Sequence, residues 1–261
     1  MQLDLTGRHA LIGGGSQGIG QAAALELAAL GADVTVIGRD PERLDATLVA
    51  LNAIRPGHHH ALLADYADRT ALERIVGDWL VQHPAQILVN NTGGPPPGAI
   101  ELATEADFLD TFGQHLLCNQ LLTRQCLPGM RRAGYGRIVN VISTSVKEPI
   151  KGLGVSNTVR GAVASWAKTL ATELAAEGIT VNNVLPGFTR TARLKGLIDG
   201  KVRSSGLDED AVAKGMMSVV PMGRFADASE VANAIAFLAS PAASYITGVS
   251  IAVDGGRTLA L

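Results

Sequence analysis

The sequence predicts an α/β fold, namely a doubly wound parallel sheet with helices on both faces. About seven short apolar segments alternate with longer helical segments along the 261 residues. Most of the apolar segments are continuous runs, which is typical of strands buried on both faces. The first run enters a glycine-rich turn that leads directly into a helix, as in a strand–helix–strand unit.

The elements follow in order along the chain. Strands are predicted at 10–12, 34–37, 61–64, 87–90, 137–142, 180–185 and 249–253. Helices are predicted at 21–30, 41–52, 68–83, 104–133 and 155–177, then an irregular helical region to about 220 and a helix at 229–238. Asp40 before Pro41 is a typical helix start, and Thr104 with Asp107 resembles a capping box. On a sheet of this Rossmann type, ligands bind at the carboxyl ends of the strands.

Composition narrows the class of protein. No linker divides the chain, so we treat residues 1–261 as a single domain. The formal net charge of -2 argues against a nucleic-acid partner. No run reaches the ~18 apolar residues of a membrane span, and residues 1–6 lack the pattern of a signal peptide. We therefore expect a cytoplasmic protein with no membrane partner.

The cysteines and histidines do not indicate a disulfide or a metal site. Cys118 and Cys126 fall on one predicted helix, ~12 Å apart along its axis, which is too far for a disulfide. His58, His59 and His60 enter a strand and point alternately to opposite faces, so at most two lie together. We expect free thiols, and a polar strand edge in place of a metal centre.

The turn after the first strand has the composition of a phosphate-binding loop. Residues 12–20 read Ile-Gly-Gly-Gly-Ser-Gln-Gly-Ile-Gly and lead into a helix. Residues without a Cβ let the backbone turn sharply and approach a pyrophosphate, whose charge is stabilised by the N–H groups of a helix N-terminus. Flexible loops share this composition, but the strand–helix–strand context favours a dinucleotide site. Its candidate residues are Gly14, Ser16, Gln17, Gly18, Ile19 and Gly20.

Several motifs, in order along the whole chain, resemble the classical short-chain dehydrogenase/reductase family. Residues 13–20 are similar to its glycine-rich cofactor loop, with Gly13 where threonine is usual. Residues 90–93 (Asn-Asn-Thr-Gly) resemble its Asn-Asn-Ala-Gly segment, and residues 186–191 resemble its Pro-Gly-xxx-Thr stretch. Residues 245–248 and 253–256 are similar to its C-terminal signature.

The resemblance implies a dinucleotide cofactor, a small-molecule substrate and a homo-oligomer, either a tetramer or a dimer. It also implies a substrate-covering segment at about 187–225. Asp65 and Tyr66, after the third strand, are expected to line the adenine pocket, although Asp65 equally suits a strand-end cap. The other residues that the resemblance assigns to the cofactor are Asn91, Thr92, Gly93, Arg160, Pro186, Gly187, Thr189 and Thr191.

The choice of cofactor depends on the end of the second strand. An acidic residue there would accept a hydrogen bond from the ribose 2′-hydroxyl of NAD. Arg39 stands at this place instead, and a guanidinium can pair with a 2′-phosphate and stack on adenine. We therefore expect NADP(H) to be favoured over NAD(H).

The catalytic positions depart from the family's pattern. Ser143 and Asn119 match the serine and asparagine of its catalytic tetrad, but Ser156 and Arg160 replace its Tyr-xxx-Lys pair. A serine hydroxyl is a much weaker acid than a phenol, and an arginine remains protonated, so neither can cycle a proton as that pair does. Loss of a general acid typically slows a reaction by ~10²–10⁴.

Other groups could supply the missing proton. We expect Ser143 to donate a hydrogen bond to the carbonyl oxygen. Lys147, Lys151, His115 and a water held by Asn119 are the remaining candidates for the proton donor. A basic group in the substrate-covering segment could contact an anionic substrate tail, such as an acyl thioester carrier, or form a solvated helix face. Its members are Arg190, Arg193, Lys195, Lys201 and Arg203, against Asp199 alone.

Three functions remain open. The first is an NADP(H)-dependent oxidoreductase acting on a carbonyl or alcohol, for example a 3-oxoacyl thioester, with a non-standard proton donor. The second is a non-catalytic NADP(H)-binding redox sensor or partner protein, which the loss of both proton-handling residues supports. The third is a different reaction on the same scaffold, such as hydration or elimination, in the space that the short Ser156 leaves.

Overall fold

A computed structural model describes residues 1–260 and contains one seven-stranded sheet. The strand order is β3-β2-β1-β4-β5-β6-β7, and every neighbouring pair is parallel. The strands are β1 (His9–Ile12), β2 (Asp33–Gly38), β3 (His60–Leu63), β4 (Ile87–Asn90), β5 (Gly136–Val141), β6 (Ile179–Pro186) and β7 (Ser250–Val253). The predicted doubly wound parallel sheet is confirmed, and its strand order reverses between β1 and β4.

Helices cover both faces of this sheet. They are α1 (Gly18–Ala29), α2 (Pro41–Ile54), α3 (Arg69–Gln82), α4 (Glu105–Phe112), α5 (Cys118–Ala133), α6 (Gly154–Leu174), α7 (Ala192–Ser205), α8 (Glu209–Met217) and α9 (Ala228–Ala239). Buried residues of α1, α2 and α9 form the core on one face, and those of α3, α5 and α6 form the core on the other. In β1, Ala10 and Ile12 belong to the first core and Leu11 to the second, because successive side chains of a strand point to opposite faces.

The segment at about 187–225 has a small core of its own. Leu194 and Ile198 of α7 pack with Val212 and Met216 of α8 and with Phe225. The two helices therefore form a unit that is packed separately from the two main cores.

Two predicted helix starts are confirmed. The carboxylate of Asp40 accepts a hydrogen bond from the Arg43 N–H at 3.1 Å, with Pro41 at the first helical position of α2. Thr104 and Asp107 form a reciprocal capping box at the start of α4. In each case a side-chain oxygen satisfies an N–H group that has no partner within the helix.

The single helix predicted at 104–133 is interrupted, and this part of the prediction is wrong. A π-helical turn at Gly113–Leu117 separates α4 from α5. Such a turn accommodates one extra residue, so the side chains of α5 are rotated about the helix axis relative to those of α4. The turn carries His115, and Asn119 lies in the first turn of α5 just beyond it.

The cysteines and histidines take structural roles. Cys118 and Cys126 are free and buried, and burial raises the pKa of the Cys118 thiol to about 11. His59 accepts a hydrogen bond from the Val34 N–H and lies 2.9 Å from the Arg55 carbonyl oxygen, so its ring is buried and fully paired. Within residues 1–260, no three potential metal ligands come together, and no helix combines the length with the apolar character that a bilayer crossing needs.

A ladder of side-chain amides ties together the carboxyl halves of β4, β5 and β6 and continues to the first residue of β7. Asn90 donates to Asn140 and Asn140 donates to Asn183, each at 2.9 Å, and Asn183 donates to the Ser250 hydroxyl at 3.1 Å. These residues are register partners in β4, β5, β6 and β7. The three asparagines are buried, so their hydrogen bonds are formed away from water, where an unpaired amide is costly.

We predict that Asn140→Ala lowers the free energy of unfolding by about 2–4 kcal/mol. The substitution leaves the side-chain NH₂ group of Asn90 and the side-chain carbonyl oxygen of Asn183 without hydrogen-bond partners in the core. Urea denaturation measures the change. Asn52→Ala, on the exposed face of α2, is the matched control and is expected to change the free energy by less than about 0.5 kcal/mol. Equal effects of the two substitutions would show that the ladder contributes no more than a surface amide.

Candidate active site

A cleft of about 1300 Å³ lies at the carboxyl ends of the strands. It is bordered by the segments that follow each of the strands β1 to β6 and by the start of α6. The predicted site residues that line it are Gly14, Ser16, Gln17, Gly18, Ile19, Arg39, Asp65, Tyr66, Asn91, Thr92, Gly93, Ser143, Ser156, Arg160, Pro186, Gly187, Thr189 and Thr191. Gly20 and Asn119 are buried and do not line the cleft.

The loop after β1 has the shape that a dinucleotide phosphate requires. Gly14 and Gly18 adopt φ angles of +55° and +57°, in the left-handed region that favours glycine. A Cβ on Gly20 would lie 2.2 Å from the Gly14 carbonyl oxygen, so only glycine fits there. The Asn91 amide donates to the carbonyl oxygens of Gly13 and Gly14 at 3.1 and 3.3 Å and holds the loop against the end of β4.

The N-terminus of α1 is free to bind an anion. Gln17 occupies the N-cap position, but its side chain does not cap the helix. The first N–H groups of α1 therefore have no side-chain capping partner, and Gly18 and Ile19, which begin the helix, line the cleft. Together with the glycine cradle, this end fits the pyrophosphate of a nicotinamide dinucleotide.

Gly13, which departs from the family's usual threonine, is explained by Tyr66. A Cβ on Gly13 would lie 2.2 Å from the Tyr66 hydroxyl oxygen and 2.8 Å from the Asn91 carbonyl oxygen. The ring of Tyr66 is 8% exposed, its hydroxyl has no hydrogen-bond partner among residues 1–260, and burial raises its pKa. Tyr66 therefore packs beneath the loop, so only a small part of it can contact an adenine.

The end of the cleft after β2 carries two arginines. Arg39 is exposed there, as the sequence predicts. Arg43, which sequence reasoning missed, also lines the cleft; it donates to the Gln17 side chain and forms a salt bridge with Asp40 at 3.0 Å. Arg43 lies in the first turn of the helix that begins just after Arg39, and this short spacing could have indicated that both arginines border the same end of the cleft. Asp65 accepts from the Ala67 N–H at 3.0 Å, so it caps the chain after β3 and also borders the cleft.

Ser143 follows β5 and is oriented by its own backbone. Its Oγ accepts a hydrogen bond from the Ser145 N–H at 3.0 Å. Because that bond uses a lone pair of the oxygen, the hydroxyl hydrogen remains available to donate into the cleft. Ser143 is half-buried.

Ser156 and Arg160 form a fixed pair at the start of α6. Arg160 Nε donates to Ser156 Oγ at 3.2 Å, and Nη1 donates to the carbonyl oxygens of Val141 and Ile142 at 3.2 and 2.8 Å. Burial and the nearby Arg193 lower the pKa of Arg160 to about 10, so the guanidinium stays protonated at neutral pH. The pair supplies a permanent positive charge where the family carries a proton-handling tyrosine and lysine.

The other candidate proton donors differ in whether they line the cleft. Lys147 and Lys151 are exposed and do not line the cleft. His115 lines it and is 4% exposed; burial and the charge of Arg160 lower its pKa to about 3 despite a hydrogen bond with the Gly93 backbone. It is therefore neutral at physiological pH. The side-chain oxygen of buried Asn119 has no partner among residues 1–260.

The basic group at 190–203 is not one surface. Arg190 forms a salt bridge with Asp227 at 3.1 Å, and Lys195 forms one with Asp199 at the same distance. Lys201 and Arg203 are exposed and lie outside the cleft. Arg193 alone reaches across to the loop after β4, where it donates to the Pro95 carbonyl oxygen at 2.7 Å. Lys195, Lys201 and Arg203 lie on the solvated face of α7, whereas Arg190 precedes that helix and borders the cleft.

Comparison with known proteins settles the family. A family model described as enoyl-(acyl carrier protein) reductase matches residues 14–258. A 3-oxoacyl-[acyl-carrier-protein] reductase of Haemophilus influenzae is 33% identical over 259 residues, covering 98% of this chain and 100% of the relative. The chain belongs to the short-chain dehydrogenase/reductase family. The NADPH-dependent reductase BacG of Bacillus subtilis is 30% identical over 251 residues, covering 95% of this chain and 97% of BacG.

A solved structure of the family agrees with the fold over its whole length. L-sorbose reductase of Gluconobacter frateurii, complexed with NADPH and L-sorbose, superposes with a TM-score of 0.93 at 28% identity and covers 100% of both chains. This short-chain dehydrogenase/reductase is therefore an oxidoreductase that uses a nicotinamide dinucleotide.

We predict that His115 makes the stability of this short-chain dehydrogenase/reductase fall in acid. The folded protein keeps the imidazole neutral to a pKa of about 3, whereas the unfolded chain takes up a proton near pH ~6.5. The stabilisation from neutral His115 is thus fully present above pH ~6.5 and is lost progressively as the pH falls toward 3.

Urea unfolding of the wild type and His115→Gln between pH 7.5 and 5 tests this. Below pH ~6 the wild-type free energy of unfolding should fall more steeply than that of the variant, by up to ~1.4 kcal/mol per pH unit for one proton. The other histidines are common to both proteins and cancel in the comparison. Parallel pH profiles would show that His115 titrates normally in the fold.

Proposed function

We propose that the protein reduces a carbonyl group with NADPH, or oxidises the corresponding alcohol with NADP⁺, without a tyrosine proton donor. The observation that carries the proposal is the orientation of Ser143. Its oxygen is engaged by the Ser145 N–H, so its hydrogen is left to donate to a carbonyl oxygen in the cleft that also holds the dinucleotide cradle.

NADP(H) is the cofactor that the end of the cleft after β2 favours. Arg39 and Arg43 both border that end, and Asp40 is the N-cap of α2 and the salt-bridge partner of Arg43. Two guanidinium groups suit a 2′-phosphate better than a ribose hydroxyl. The names of BacG and of the L-sorbose reductase complex, which both mention NADPH, support the same choice.

NADPH, when bound, supplies the hydride. Ser143 orients the carbonyl oxygen and stabilises the negative charge that develops on it. Arg160 adds a fixed positive charge beside Ser156, and because it stays protonated it does not give up a proton. In this proposal the proton that completes the alcohol comes from solvent, which enters the space left by the short side chain of Ser156.

One observation favours a second candidate function, binding of NADP(H) without turnover. The Ser156 hydroxyl accepts from Arg160, and the guanidinium is further engaged by two main-chain carbonyl groups. A pair held in this way does not transfer a proton. A protein that only binds the cofactor has no need for proton transfer, so this arrangement suits the second function. The orientation of Ser143 favours the reductase instead, because its hydroxyl hydrogen is available to a substrate carbonyl group, which a protein that only binds the cofactor does not need.

We predict that Arg39→Gln weakens NADPH binding about tenfold more than NADH binding, because only NADPH carries the 2′-phosphate with which the guanidinium pairs, whereas any stacking on adenine is common to both cofactors. Fluorescence titration of each cofactor measures both constants. Arg203→Gln, with the same charge change on the exposed face of α7, should bind both cofactors as the wild type does. Equal losses for NADPH and NADH would remove the basis for the preference.

We predict that Ser143→Ala lowers kcat by about 10²-fold or more and leaves the Kd for NADPH unchanged, because the hydroxyl contacts the substrate oxygen and not the cofactor. The assay follows NADPH consumption with a panel of 3-oxoacyl thioesters, diketones and simple ketones. Turnover that survives in Ser143→Ala would refute the assigned role. If NADPH binds and no substrate oxidises it, the non-catalytic function takes precedence.

A further inference from the structure

Two arginines from different helices converge on Gly94, in the loop after β4. Arg193, in the first turn of α7, donates to the Gly94 and Pro95 carbonyl oxygens at 3.4 and 2.7 Å. A Cβ built on Gly94 would lie 3.3 Å from Arg193 Nη2 and 3.5 Å from Arg160 Nη2. Both guanidinium groups therefore border the same point in the cleft, and the residue between them has no side chain.

Arg160 and Arg193 lack the acidic partners that other arginines have. Asp40, Asp65, Asp107 and Asp110 also line the cleft. Within residues 1–260, however, no carboxylate comes within 4.0 Å of either guanidinium. Among the arginines that do have acidic partners in this part of the chain are Arg43, Arg55, Arg131, Arg190 and Arg224.

The uncompensated charge on Arg160 is the unusual one. Arg160 is 9% exposed, and a buried cation without a counter-charge is costly. Nε and Nη1 have acceptors, but within residues 1–260 we find none for Nη2, which faces Gly94. Arg193, by contrast, remains exposed at the mouth of the cleft, where an incoming group can reach it. The arrangement offers an anion one buried and one accessible donor.

The position of this pair points to the substrate in preference to the cofactor phosphates. The phosphate cradle follows β1 and Arg39 follows β2, whereas Arg160 contacts the residues at the end of β5. In the sheet order β5 lies two strands from β1, about 10 Å at the usual strand spacing. Arg160 is also hydrogen-bonded to Ser156, which stands where the family's catalytic tyrosine would be.

We propose that the substrate of this protein carries a carboxylate, which binds between Arg160 and Arg193 beside Gly94. The inference rests on the proposed function, since it assigns the substrate class of the same site. An oxo acid would place its carbonyl group by Ser143 and its carboxylate against the two guanidinium groups. A guanidinium matches a carboxylate with two parallel hydrogen bonds, so the pair would orient the substrate as well as attract it.

The kinetic experiment compares 2-, 3- and 4-oxo carboxylic acids with their methyl esters, with NADPH as reductant. For at least one acid, the wild type should show a kcat/KM at least tenfold above that of its ester. Arg193→Gln should raise KM for that acid about tenfold and leave the ester unchanged, and Arg193→Lys should restore part of the loss. Arg203→Gln, on the same helix, should behave as the wild type. Esters reduced as well as their acids would overturn the proposal.

A binding experiment separates this inference from the proposed function. Calorimetric titration of the NADP⁺-loaded protein uses carboxylates from acetate to octanoate and phenylacetate, each paired with its neutral amide. At least one carboxylate should bind tenfold more tightly than its amide, and Arg193→Gln should remove the difference. If no oxo compound is reduced by the wild type, the proposed function fails and these titrations alone decide the inference.

Two results would overturn the inference. The first is a panel of titrations in which no carboxylate binds better than its amide. The second, which needs a separate fluorescence titration with NADPH, is a tenfold loss of NADPH affinity in Arg193→Gln with carboxylate binding unchanged, since this would assign the arginine to a phosphate of the cofactor. Retained NADPH binding in the variant also shows that it is folded.

Discussion

The register of the neighbouring strands β4, β5 and β6 is the constraint on which the rest of this structure depends. The amide ladder from Asn90 through Asn140 to Asn183 fixes β4, β5 and β6 in register in a region that excludes water. Each rung is followed within a few residues by a part of the cleft: Asn91 after Asn90, Ser143 after Asn140, and Pro186 after Asn183. A slip of one residue in any strand would turn its side chains to the other face and move that part of the cleft out of reach of the others.

The glycine loop after β1 is subject to the same constraint. Asn91 lies next to the first rung of the ladder, and its side-chain amide donates to the carbonyl oxygens of Gly13 and Gly14. This loop is therefore positioned by β4 as well as by the strand that leads into it. Only glycine at position 20 permits this contact, since a Cβ there would collide with both the loop and the Asn91 amide.

The sequence was sufficient for the features that depend on local chemistry. The glycine loop, the β4 strand at 87–90 and the caps at Asp40 and Thr104 are all where their residues predict them. Features that depend on contacts between distant residues were not predictable. The π turn at Gly113–Leu117 has the residue composition of an ordinary helix, so composition does not reveal it. The hydrogen bond from Arg193 to Pro95 joins residues that are 98 positions apart, and no local sequence pattern predicts it.

The chemistry of the site shows the same division. The absence of the tyrosine and lysine is evident from the sequence, but the use made of their replacements is not. Arg160 does not simply stand in for a lysine: it is held by Ser156 and by two main-chain carbonyl groups at the end of β5, so its charge is immobile. An immobile charge favours electrostatic stabilisation over proton transfer.

The contacts of Gly13 also couple parts of the chain that are far apart in sequence. A Cβ at position 13 would lie 2.2 Å from the Tyr66 hydroxyl oxygen and 2.8 Å from the Asn91 carbonyl oxygen. The threonine that is usual in the family at this position would therefore require both the buried tyrosine ring and the backbone after β4 to move. A single substitution at position 13 would not convert this loop to the family's usual form, because its shape is shared with the segments that follow β3 and β4.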